Sequence, residues 1–62
     1  MIHNSSIIDK KAEISNKVKI GPFCNVGPNV KLKDGVELIS NVHIEGNTEV
    51  GRGTKIFPFA SI

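Results

Sequence analysis

The sequence predicts an all-β chain wound as a parallel coil with three flat sides. Three observations lead there. An aliphatic residue returns at every sixth position, the prolines are confined to one column between those aliphatics, and outward charges alternate in sign at a spacing of three sextets. Periodicity comes first because a missed repeat mis-assigns a whole fold.

The aliphatic column runs Ile2, Ile8, Ile14, Ile20, Val26, Leu32, Leu38, Ile44, Val50, Ile56 and Ile62. With 39% of residues hydrophobic, eleven such positions in an unbroken row are not a chance run. Two residues before each guide position stand Ser6, Ala12, Val18, Cys24, Val30, Val36, Val42, Thr48, Thr54 and Ala60, all small or β-branched. Two inward positions separated by one outward position make a very short strand, because side chains alternate across an extended backbone. Val18-Lys19-Ile20, Val30-Lys31-Leu32, Val36-Glu37-Leu38, Val42-His43-Ile44, Thr48-Glu49-Val50 and Thr54-Lys55-Ile56 are the clearest of these units.

The other three positions of each sextet must turn the chain. Pro22, Pro28 and Pro58 all fall two residues after a guide aliphatic, where a fixed φ and a missing N–H do no harm. The next column holds Asn29, Gly35, Asn41, Asn47 and Gly53, residues that tolerate positive φ, and the pair of columns predicts type II turns. The Gly-Pro pairs at Gly21-Pro22 and Gly27-Pro28 return after six residues because a corner returns after six.

A helix is excluded, since a step of six smears the aliphatics over three faces. A hairpin meander is disfavoured, because strands of about three residues bury almost nothing alone. A coil of three sextets stacks parallel strands about 4.8 Å apart with the aliphatics filling a triangular interior. The outward column fixes the lap at 18 residues. One face then stacks Lys19, Glu37 and Lys55, a second Glu13, Lys31 and Glu49, and a third Ile7, Asn25, His43 and Ser61. A 12-residue lap would instead set Lys19 over Lys31 and Glu37 over Glu49.

The 62 residues supply about three and a half laps, close to the minimum a solenoid needs. No capping element follows Ile62, so the sequence reads as the amino-terminal part (residues 1–62) of a single longer domain. A net charge of +2 is too balanced for a nucleic-acid footprint. Cys24 has no partner for a disulfide, which fits a reducing compartment. No segment is apolar for long enough to act as a signal peptide or to enter a membrane. Asn4-Ser5-Ser6 matches a glycosylation sequon formally, without a secretion signal to make it meaningful.

The columns resemble the hexapeptide pattern of bacterial acyltransferases. "IGPFCNVGPNV" (Ile20 to Val30), "HIEGNTEVGRGTKI" (His43 to Ile56) and "FPFASI" (Phe57 to Ile62) are similar to the first coils of the UDP-N-acetylglucosamine O-acyltransferase family. The resemblance implies a left-handed parallel β-helix, although the general crossover rule is right-handed and the hand is not readable from the residues. It also implies transfer of a 3-hydroxyacyl group from acyl carrier protein to the 3-hydroxyl of UDP-N-acetylglucosamine, the first step of lipid A synthesis, by a cytoplasmic homotrimer without a cofactor. The related N-acyltransferase is the second reading. Its extra amino-terminal domain is at odds with sextets that begin at Ile2. A non-enzymatic solenoid module is the third.

The family's histidine general base lies in later coils, so the resemblance places no catalytic, cofactor-binding or metal-binding residue within these 62 positions. His43 reads as a solvent-facing strand residue and His3 as part of a frayed end. No second histidine stands at a zinc-site spacing, which leaves the γ-class carbonic anhydrases of the same fold without ligands here. Cys24 reads as a buried, inert thiol. Gly51-Arg52-Gly53 and Gly21-Pro22 read as corners, because no helix and no Lys-Ser/Thr follow as a phosphate loop requires. Phe23 and Phe59 share one corner column, with Phe57 nearby, and are candidates either for a seam between subunits or for local packing over the corner.

Overall fold

The computed structural model describes residues 1–62. Its nine strands are β1 (Ile7–Ile8), β2 (Glu13–Ile14), β3 (Lys19–Ile20), β4 (Asn25–Val26), β5 (Val30–Leu32), β6 (Glu37–Leu38), β7 (His43–Ile44), β8 (Thr48–Val50) and β9 (Lys55–Ile56). They form three parallel sheets of three strands, ordered β1-β4-β7, β2-β5-β8 and β3-β6-β9. The fold is therefore a parallel β-helix with three sides.

Register follows the 18-residue lap throughout. Ile7 pairs with Asn25, and Asn25 with His43. Glu13 pairs with Lys31 and then Glu49, and Lys19 pairs with Glu37 and then Lys55. Backbone hydrogen bonds rise from lap to lap, as from Lys19 N–H to the Val36 carbonyl (3.0 Å) and from Glu37 N–H to the Thr54 carbonyl (2.9 Å). These bonds satisfy amides that a strand of two or three residues could not pair within a hairpin.

The core is the pair of inward columns. Val18, Ile20, Cys24, Val26, Val30, Leu32, Val36, Leu38, Val42, Ile44, Val50 and Ile56 are buried, and no polar or charged residue is. Ile2 and Ile62 belong to the same column but stay about half exposed, because each has a lap on one side only.

The outward ladders alternate in sign as expected, and Lys31 meets Glu13 at 3.6 Å while Lys55 meets Glu37 at 4.0 Å. Glu49 stacks over Lys31 in register, and its carboxylate lies 3.9 Å from Lys33, which reaches across from the corner after β5. One expectation, about the turns, needs correction. Positive φ occurs at Gly35, Asn41 and Gly53 as expected, but also at Phe23 and Phe59. Asn29 and Asn47 do not take it. In their corner column Gly46 does so one position earlier, and Asn29 leads straight into β5 with its carbonyl accepting from Thr48 N–H at 3.3 Å.

Candidate functional site

One corner of the triangle carries most of the unusual chemistry. It follows β3, β6 and β9 and stacks His3-Asn4-Ser5, Gly21-Pro22-Phe23, Ile39-Ser40-Asn41 and Phe57-Pro58-Phe59. Gly21 N–H donates to the Leu38 carbonyl at 2.7 Å, so the backbones lie very close there. A Cβ on Gly21 would sit 1.8 Å from the Ile39 carbonyl oxygen. That approach, not a phosphate, is why glycine stands before Pro22.

Two serines anchor the lower part of this corner. Ser6 Oγ donates to the Gly21 carbonyl at 2.6 Å and accepts from Cys24 N–H at 2.9 Å. Ser5 Oγ accepts from Phe23 N–H at 3.1 Å. Higher up the corner, backbone bonds replace the serines: Asn41 N–H donates to the Pro22 carbonyl and Phe59 N–H to the Asn41 carbonyl, both at 3.0 Å. From the sequence, Ser6 reads only as a small residue of the inward column. The signal that marks its bonding role is a hydroxyl in a column otherwise aliphatic at this level.

The aromatic side chains project outward from that scaffold. Phe23, Phe57 and Phe59 are 66%, 65% and 83% exposed. Phe23 and Phe59 hold φ of 59° and 66°, a conformation that is costly for a bulky residue. Ile7, on the sheet that follows this corner, is 67% exposed. The result is an apolar ridge along one edge of the coil.

The remaining candidates fall apart from one another. His43 is exposed on β7, with Nε2 3.2 Å from Glu45 Oε2. His3 lies beside Ser5, whose Oγ is 2.8 Å from Nδ1. Cys24 is buried, its Sγ facing the Pro22 carbonyl at 3.8 Å. No three His, Cys, Asp or Glu side chains come together as a metal cluster would need. A groove open to solvent runs beside β2, β5 and β8 between Glu13, Lys31, Lys33, Asp34 and Arg52, and Ser15 Oγ bonds Asp34 Oδ1 there. Its charges are mixed and exposed, so it presents no preorganised centre for a reaction.

No family model matches the chain, and no curated protein matches it. A solved structure does: "Crystal structure of UDP-N-acetylglucosamine acyltransferase", at 51% identity over 98% of this chain with a TM-score of 0.97. The chain resembles UDP-N-acetylglucosamine acyltransferase. Coordinates this similar at this identity go beyond a shared solenoid, and the match supports the acyltransferase family. The chain spans 24% of the length of that acyltransferase.

Proposed function

We propose that the chain is an amino-terminal scaffold segment of an enzyme that moves a 3-hydroxyacyl group from acyl carrier protein to the 3-hydroxyl of UDP-N-acetylglucosamine. That reaction opens lipid A biosynthesis, and the reading places the enzyme in the cytoplasm as a homotrimer. The observation that carries it is the 51% identity sustained across 98% of the chain. Such a transfer needs a base to deprotonate the sugar hydroxyl before it attacks the thioester, and an imidazole suits that role near neutral pH. Neither histidine here fits it. His43 stands on an open face beside Glu45, and His3 is tied to Ser5. The segment's part is therefore structural: it sets the register and the subunit-facing ridge on which later coils build.

A chimera tests this directly. Residues 1–62 would replace the matching coils of a UDP-N-acetylglucosamine acyltransferase, and acyl transfer would be measured with both substrates. The expected outcome is a folded, active chimera and no turnover by the 62-residue chain alone. A folded but inactive chimera, or turnover by the isolated chain, overturns the reading.

A further inference from the structure

The corner that follows β2, β5 and β8 stacks Ser15-Asn16-Lys17, Lys33-Asp34-Gly35 and Gly51-Arg52-Gly53. Its middle level holds the one place in the chain where glycine follows an Asp or an Asn. Such a pair is chemically weak. The nitrogen of the following residue can attack the side-chain carboxyl, and glycine has no Cβ to obstruct the approach. Asp9, the other aspartate, is followed by Lys10, whose side chain does obstruct it. We propose that Asp34-Gly35 is a site of succinimide formation and conversion to isoaspartate, and that the laps above and below hold it unreactive in the folded coil.

The protection lies in three hydrogen bonds between laps. The attacking nitrogen must give up its proton, yet Gly35 N–H donates to the Lys17 carbonyl at 3.2 Å. On the other side of the same peptide unit, the Asp34 carbonyl accepts from Gly53 N–H at 3.0 Å. The peptide that has to rotate is thus clamped from below and from above. The carboxyl must also turn toward the Gly35 nitrogen, yet Asp34 Oδ1 accepts from Ser15 Oγ. Ser15 Oγ is itself positioned by Lys17 N–H, from which it accepts at 3.3 Å. Burial gives no shelter, since Asp34 and Gly35 are both exposed and water reaches the imide once it forms. The rate therefore follows the fraction of chains whose corner is open.

The reaction needs no external reagent except water. The Gly35 nitrogen bonds to Asp34 Cγ, and the carboxyl hydroxyl leaves as water with the amide proton. Water then breaks the bond between the Asp34 main-chain carbonyl carbon and the Gly35 nitrogen. No electron is transferred, the mass is unchanged, and the main chain gains one methylene between Asp34 and Gly35. Leu32 before this corner pairs with Val50, and Glu37 after it pairs with Lys55, both at an offset of 18. A register fixed on both sides leaves the added link nowhere to go, so the isoaspartyl form should fold less stably.

The test ages the full 62-residue chain at physiological temperature and pH, in buffer and in concentrated guanidinium chloride, and locates isoaspartate by fragmentation mass spectrometry. The unchanged mass separates it from deamidation of asparagine. The expected result in denaturant is far more product at Asp34 than at Asp9. In buffer the Asp34 reaction should be slower by about tenfold or more. Ser15→Ala with an unchanged circular dichroism spectrum should speed the reaction in buffer and leave the rate in denaturant as it was. The purified isoaspartyl form should unfold at a lower urea midpoint. Asp9 reacting as fast as Asp34 in denaturant overturns the site. Equal rates at Asp34 in buffer and in denaturant overturn the protection by the fold. An unchanged rate in folded Ser15→Ala overturns the part given to its hydroxyl, and an unchanged midpoint overturns the register argument.

Discussion

Gly21 and Gly51 occupy the same column of the sextet and differ in one physical respect. A Cβ at Gly21 meets the Ile39 carbonyl oxygen at 1.8 Å, while a Cβ at Gly51 meets nothing within 4 Å. Gly21→Ala is expected to destabilise the chain by about 2 kcal/mol or more, since backbone must move to admit the methyl group. Gly51→Ala should change stability by no more than about 0.5 kcal/mol. Urea midpoints of the two variants check the contrast. Phe59 poses the opposite case, an exposed side chain on a strained backbone. Left-handed geometry costs a bulky residue on the order of 1–2 kcal/mol, and Asn accepts it readily. Phe59→Asn should leave the isolated chain as stable or up to about 1 kcal/mol more so. If the ridge is a subunit seam, Phe59→Ala in a full-length homologue should weaken the trimer, and a trimer of unchanged mass by light scattering removes that role.

At the scale of elements, burial is greatest in the strands with a lap on both sides. Leu38 packs between the levels of Ile20 and Ile56 and is 1% exposed. Leu38→Ala is expected to cost about 2–5 kcal/mol, through lost transfer energy and the cavity left behind. Lys31 lies between Glu13 and Glu49 on its sheet. Lys31→Glu removes the pair with Glu13 and aligns three carboxylates. The side chains are more than half exposed, so the effect should stay near 1 kcal/mol and shrink in high salt. Strand positions, register and the two core columns were legible because a period of six allows each side chain only one face. The turns were legible in part. Proline and glycine announce a corner, but the φ at Phe23 and Phe59 is imposed by the neighbouring laps and leaves no mark in residue type. The partner of Glu49 was hidden for a related reason: Lys33 is flexible and reaches from a corner that the strand ladder does not include. The hand of the coil came from the family resemblance alone. Of the candidate site, the placement of Cys24 inside and His43 outside was readable, whereas the serine anchors depend on contacts between laps.

For the whole molecule, twelve buried residues out of 62 make a small core. A domain of this size buries only about 60% of its unfolded surface, and its stability is correspondingly modest. In a solenoid, stability is close to a sum of lap energies and interfaces between neighbours. Extending the chain by the next 18 residues of the matching acyltransferase should therefore raise the midpoint of thermal unfolding, followed by circular dichroism as a β signal without helical minima. An extension that adds nothing would mean that the existing laps do not act as a template.

The uniform pairing offset also restricts how the length of such a gene can drift. Loss or gain of one whole lap leaves every later residue above the same kind of neighbour, so it is the smallest change that conserves the pattern. Loss of a single sextet rotates everything downstream by one face and brings lysine above lysine. Viable length variants among relatives should accordingly differ by entire laps, or confine their extra residues to loops that leave at a corner and return to it.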